Sequence, residues 1–337
     1  MLTAEKLHDA LKNVKIGGNV CQYNMGKCEE FAPLINEINE LKKEKKAVIL
    51  AHSYVSPEII YGVADFSGDS FELSRKAQGT DAEIIVFAAV KFMAETAKIL
   101  NPKKQVLIPA QLNGCTLADA VTGKDVKRLK KEFPGYTFVC YINTSAEVKA
   151  ECDVCVTSAN VYKIVEAIPN DKIYFVPDKL MGINLQNDMQ RRGIQKDIKL
   201  YEGTCYAHEQ YDPQMIEFIR GEYPKAKILS HPECNAGVLK YSDYVGSTSQ
   251  MVAYVKETDA EAYFMLTECG LTGKLQMELP DKTFVGSCTL CKYMKANTLE
   301  DIKRVLENPT GKDCIMLDET IRQRAQKCID EMFRYAG

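Results

Sequence analysis

The chain has 337 residues, 46% of them hydrophobic and 26% charged, with a formal net charge of -3. That is enough for about two or three domains with cores of their own, and no basic excess is present that would hold nucleic acid. Thirteen cysteines cannot all pair, and in a reducing compartment such a number points to metal ligation, redox chemistry or burial.

The N-terminal segment MLTAEKLHDALKNVK places Leu2, Leu7, Leu11 and Val14 at helical spacing and has no apolar h-region. The apolar run from Ile84, IIVFAAVKFMA, is too short to span a bilayer and contains Lys91. A cytoplasmic protein without membrane or nucleic-acid partners is expected. After the amphipathic lead-in EEFAPLINEINELKKEKK come short runs rich in Val, Ile, Phe and Tyr: AVILAHSY, EIIVFAAV, QVLIPA, YTFVCYIN, KIYFVPD, AKILSHPEC and AYFMLTEC. They alternate with amphipathic segments, as parallel strands alternate with helices. Lack of polar alternation within them predicts strands covered on both faces. DETIRQRAQKCIDEMFRYA closes the chain as a helix.

The polar residues at the run ends repeat. His52, Tyr141 and His231 lie 89 and 90 residues apart, and Ser70, Ser158 and Ser247 lie 88 and 89 apart. Ala89, Pro177 and Thr267 follow at 88 and 90, and Cys115, Cys205 and Cys291 at 90 and 86. The fold class expected is α/β, as three homologous units near residues 40–134, 135–223 and 224–310. Helices 1–39 and 311–337 extend the body at its two ends.

Ligands bind beyond the carboxyl ends of parallel strands, so packing three such units around a common axis brings three cysteines to one pocket. Three thiolates suit zinc with a further ligand, or an iron-sulfur cluster with one open iron. An open iron acts as a Lewis acid, which implies dehydration or condensation rather than electron transfer. His52, His208 and His231 all end apolar runs, where they serve either as structural hydrogen-bonders or as site residues. The hydroxyls of GDS, TSAN and GSTS stand where helices start, suited to capping and to holding phosphate or carboxylate. In YEGTCYAHE the glycine is expected to let the loop turn, the thiolate to hold metal and the histidine to reach the ligand. A rival reading places zinc on the CxxC pairs Cys152/Cys155 and Cys288/Cys291, although they lie 136 residues apart. A redox sensor or iron-sulfur carrier is a second rival. For the pair Cys152 and Cys155 in CDVC two readings stand, redox activity and, more simply, burial.

The ordered set AHSYVSPEI, GDSFELS, FMAETAKILNP, NGCTLAD, YINTSAEVKAECDVCVTSAN, YEGTCYAHE, SHPEC, GSTSQM and CTLCKYMKANTLE resembles the quinolinate synthase family, iron-sulfur enzymes of de novo NAD synthesis. The resemblance implies three three-layer α/β/α domains with parallel sheets, arranged with pseudo-threefold symmetry around a central active site. It implies a 4Fe-4S cluster on Cys115, Cys205 and Cys291, with one iron left open. The reaction implied condenses iminoaspartate with dihydroxyacetone phosphate to quinolinate, losing phosphate and water. An aspartate oxidase or dehydrogenase would supply the iminoaspartate. By position, His52, Tyr54 and Ser70 contact substrate from the first unit, and Tyr141, Asn143 and Ser158 bind carboxylates from the second. His208 and Glu233 lie near the open iron, His231, Ser247 and Thr248 suit the phosphate-bearing substrate, and Tyr54 and Glu233 form an acid/base pair. CTLCKYM lacks the proline that often follows the third ligand in the family and offers Cys288 as a competitor to Cys291. No role carries over to Lys91.

Overall fold

The strands of this computed structural model, which describes residues 1–16, 22–286 and 289–337, group into three four-stranded parallel sheets. The first holds β1 (Ala47–His52), β2 (Phe66–Gly68), β3 (Ile84–Ala88) and β4 (Gln105–Leu107). The second holds β5 (Thr137–Tyr141), β6 (Val154–Val156), β7 (Lys172–Val176) and β8 (Asp197–Leu200). The third holds β9 (Lys227–Ser230), β10 (Tyr244–Val245), β11 (Tyr263–Leu266) and β12 (Phe284–Val285). Each has its first strand between the second and third and its fourth beyond the third. The α/β class is therefore built three times over with one topology.

The central strands are buried along nearly their whole length because helices cover them. Ile49, Val139 and Leu229 are fully buried, and truncating such a side chain to alanine costs about 2–5 kcal/mol. Helices Met25–Glu44 and Ser70–Gly79 both pack on β1, and Leu299–Glu307 packs on Met25–Glu44 and on β3. The closing helix Glu319–Ala336 lies on Ala146–Glu151, β6 and Val161–Ala167, and reaches Lys91–Leu100. No described helix is long and apolar enough to cross a membrane.

Register sets the site. His52 pairs with Gly68, Tyr141 with Val156 and Ser230 with Val245, so the first and second strands of every sheet end level. The loops that follow them then open on the same side. Of the three expected hydroxyl caps, Ser247 alone serves as one, in a capping box with Gln250. Asp69 and Asn160 occupy the equivalent N-cap positions, and this leaves Ser70 and Ser158 beside the helix starts.

Candidate active site

The strand ends carry a repeated pair of side chains, at the last strand position or just past it and two residues further on. The pairs are His52/Tyr54, Tyr141/Asn143 and His231/Glu233. In the first and third pairs the backbone N–H of the second residue donates to the histidine Nδ1, at 3.2 Å from Tyr54 and 3.4 Å from Glu233. An Nδ1 that accepts leaves Nε2 as the donor of a neutral imidazole. Burial keeps both rings neutral: His52 is lowered to about 3 by burial and then by Lys295, and His231 to about 3 by burial against the pull of Glu233.

The cysteines follow the fourth strand of each sheet. Cys115 and Cys291 stand at the N-caps of the short helices Thr116–Ala120 and Lys292–Lys295. The Cys205 carbonyl accepts from the N–H groups of His208 and Glu209, both at 3.0 Å. Gly203 is not in the left-handed region, so the turning role expected for it does not apply. It permits close approach instead, since a Cβ there would lie 2.6 Å from the Pro177 carbonyl oxygen. Cys115, Cys205 and Cys291 line one cavity with about 660 Å³ of non-atom space, part of it open to solvent.

Burial pushes the Cys115 thiol up to about 12 and raises those of Cys205 and Cys291. Three half-buried thiols, each following the last strand of a different sheet, are costly to ionise alone and become thiolates beside a cation. They are a soft donor set, fitting an iron-sulfur cluster or another thiophilic metal.

A hydrogen-bonded chain crosses the cavity wall. Tyr54 Oη lies 2.5 Å from Thr267 Oγ1, which lies 3.0 Å from His208 Nε2. His208 Nδ1 is 3.0 Å from Glu233 Oε2, and Tyr141 donates to Glu233 Oε1 at 2.6 Å. Burial raises Tyr54 and Tyr141 well above the usual phenol value, despite the Thr267 hydroxyl beside Tyr54. Burial also works against the Glu233 carboxylate, yet the hydrogen bonds it accepts from His208 and Tyr141 hold its pKa below the ordinary range. A carboxylate at Glu233 accepts from His208 Nδ1–H, so Nε2 accepts from Thr267 and Thr267 in turn accepts from Tyr54. The rings of His208 and His231 stack with centroids 4.6 Å apart.

Of the residues singled out from the sequence, His52, Tyr54, Ser70, Cys115, Tyr141, Asn143, Ser158, Cys205, His208, His231, Glu233, Thr248 and Cys291 all line this cavity. Ser247 does not; its hydroxyl donates to Asp69 Oδ2 at 3.1 Å and accepts from Gln250 N–H. Beside Ser158, Thr157 Oγ1 and Asn160 Nδ2 are buried without a hydrogen-bond partner, polar capacity suited to a ligand. Lys91 is exposed and 3.9 Å from Glu95. Cys152 and Cys155 are buried away from the cavity, and Cys288 lies outside the described residues.

Two residues escaped the sequence reading. Thr267 marks the repeat but had been given no task. Glu268 accepts from Cys291 N–H at 3.1 Å and from Gly270 N–H at 2.6 Å, and it pairs with Lys295 at 3.1 Å. Lys295 also donates to the Tyr54 carbonyl. A Cβ on Gly270 would lie 2.4 Å from that carbonyl oxygen, so glycine lets the third unit close on the first. The acid that follows the third strand in the second and third sheets, Asp178 and Glu268, was the available signal.

Comparison with known proteins decides the family. Residues 36–334 match the family model described as quinolinate synthetase A protein. The chain belongs to the quinolinate synthetase A family. It is 43% identical over 301 residues to the quinolinate synthase of Alkaliphilus metalliredigens, covering 89% of this chain and 97% of that one. With the quinolinate synthase of Aquifex aeolicus it shares 42% identity over 311 residues, 90% of this chain and 94% of the relative. The quinolinate synthase of Sinorhizobium fredii is 42% identical over 302 residues, 90% and 82% of the two chains. Membership of the quinolinate synthetase A family makes the chain an enzyme of NAD biosynthesis.

Proposed function

We propose that the chain condenses iminoaspartate with dihydroxyacetone phosphate to give quinolinate, phosphate and water. The site would be shared by three domains near residues 40–134, 135–223 and 224–310. The observation that carries this reading is the meeting of Cys115, Cys205 and Cys291 with the Tyr54 to Glu233 hydrogen-bond chain in one cavity. The three cysteines would hold a 4Fe-4S cluster with one iron free of protein ligands. When bound, that cluster supplies Lewis acidity toward a substrate hydroxyl or carboxylate during dehydration.

The protein groups have separable tasks. Tyr141, Asn143 and Ser158 hold carboxylates of the first substrate, while His52 and Ser70 contact the substrate from the opposite unit. His231 and Thr248 take the phosphate-bearing substrate. Ser247, committed to Asp69, acts by shaping the start of helix Thr248–Glu257. Shifting the shared protons one step from Tyr54 through Thr267 to His208 leaves Tyr54 a phenolate base, and Glu233 stabilises the imidazolium so formed. The reverse shift returns Tyr54 as an acid, which suits isomerisation of a carbonyl next to a hydroxyl. Iminoaspartate would come from an aspartate oxidase or dehydrogenase in the cytoplasm.

Quinolinate formation by anaerobically prepared protein supplied with both substrates tests the reading; a brown protein that makes none would be a carrier or sensor. The structure favours one alternative, because ligand atoms of Cys205, His208 and Glu233 lie within 4.8 Å of one another, close enough for a single metal ion. Such a protein would be colourless with zinc and would retain its metal in Cys115→Ser, whereas a cluster would not survive that change.

A further inference from the structure

Four cysteines outside the cavity meet within the second sheet and the helix that covers it. Cys140 lies on β5 and Cys155 pairs with it in register on β6. Cys152 ends helix Ala146–Glu151, and Cys328 belongs to the closing helix. Cys140 Sγ and Cys328 Sγ are 3.6 Å apart, and the Cys152 and Cys155 thiols lie near enough to Cys140 to act on its ionisation. Cys140 and Cys155 are fully buried, whereas Cys152 and Cys328 border a surface groove between the two helices.

The arrangement is a hub, with Cys140 in contact with Cys328 and near the other two, and not a cage. Among the described residues the group whose ligand atoms are all mutually close enough for an ion is Cys205, His208 and Glu233, and the four thiols do not form another. A hub is poorly suited to tetrahedral coordination, where all four sulfurs must be neighbours. It is well suited to sulfur exchange, which needs one nucleophile with a second sulfur in reach.

We propose that Cys140 and Cys328 are a modification site, forming a reversible disulfide that ties the closing helix to β5 when a small peroxide enters by the groove. Cys328, which borders the groove, attacks the peroxide O–O bond as thiolate, giving a sulfenic acid and hydroxide. Cys140, 3.6 Å away, then attacks the sulfenic sulfur as thiolate and expels a second hydroxide. The two thiol protons convert both hydroxides to water, so two sulfurs lose two electrons and one peroxide is reduced to two waters. The thiol donors around Cys140 and the Lys149 amine oppose the effect of burial and favour its thiolate. Closure requires the sulfurs to move together by about 1.5 Å, from contact to a bond of about 2 Å. The proposal is independent of the reaction at the central cavity.

The test exposes full-length protein to low hydrogen peroxide, blocks the remaining thiols with maleimide in denaturant and maps the peptides by mass spectrometry. A Cys140–Cys328 cross-link that dithiothreitol reverses is expected. It should be missing from Cys328→Ala and present in Cys205→Ser, which keeps it separate from loss of the cluster. Recovery of Cys140 and Cys328 both labelled, or a zinc ion bound stoichiometrically in Cys205→Ser and lost in Cys328→Ala, would overturn the proposal.

Discussion

Two sets of cysteines in this chain share a side chain and little else. Cys115, Cys205 and Cys291 stand past the edge strands of three different sheets, half-buried, and line a common cavity. Cys140, Cys152, Cys155 and Cys328 lie within one sheet and its covering helices, buried from solvent. The first set has backbone N–H groups beside it, at the short helix starts after Cys115 and Cys291 and in the turn after Cys205, and these stabilise anionic sulfur. The second set has mainly other thiols. Position relative to the strand ends therefore separates the two sets; residue type alone does not.

Serine substitution breaks the comparison most sharply. Cys205→Ser should abolish both the cluster spectrum and quinolinate formation, since three thiolates leave none to spare; a full cluster in that variant would mean the ligands are misassigned. A smaller effect is expected for Glu233→Gln, which should keep the cluster and lose turnover by about 100-fold to 10,000-fold, the range for a lost acid/base group. Near-normal kcat there would remove Glu233 from the proton chemistry. Thr267→Val cuts the link between Tyr54 and His208 while preserving shape. It should lower kcat by roughly 10-fold to 100-fold with little change in KM, within the weaker end of proton-transfer effects, and Thr267→Ser should restore most of it. Equal losses in the serine and valine variants would indicate packing alone. Smallest is Cys152→Ser, expected to leave the cluster spectrum intact and to lower stability by about 1–3 kcal/mol, the cost of a buried polar group; thermal unfolding with an absorption spectrum reads both.

The α/β class and the threefold period are legible because both are carried by local patterns, apolar runs and the residues that end them. The same period exposes Cys115, Cys205 and Cys291, since rotational repetition puts equivalent residues at equivalent strand ends. Other features depend on which surfaces meet, and no spacing reports that. Cys140 and Cys328 are 188 residues apart and outside the period. Helix Leu299–Glu307 packs on the first sheet although it follows the third. Gly203 and Gly270 are required by close approach of other chain segments, where a sequence suggests only a turn. Glu268 acts by holding the Cys291 backbone, a task that becomes visible only once the two segments are side by side.

The central claim is that three units gather three thiolates around one iron-sulfur cluster. Iron and acid-labile sulfide, measured on anaerobically prepared protein beside Cys115→Ser, Cys205→Ser and Cys291→Ser, test it most directly. About four iron and four sulfide per chain are expected in the parent protein, falling to near zero in every variant. A single zinc without sulfide in fully active protein, or undiminished iron and sulfide in any of the variants, would contradict it.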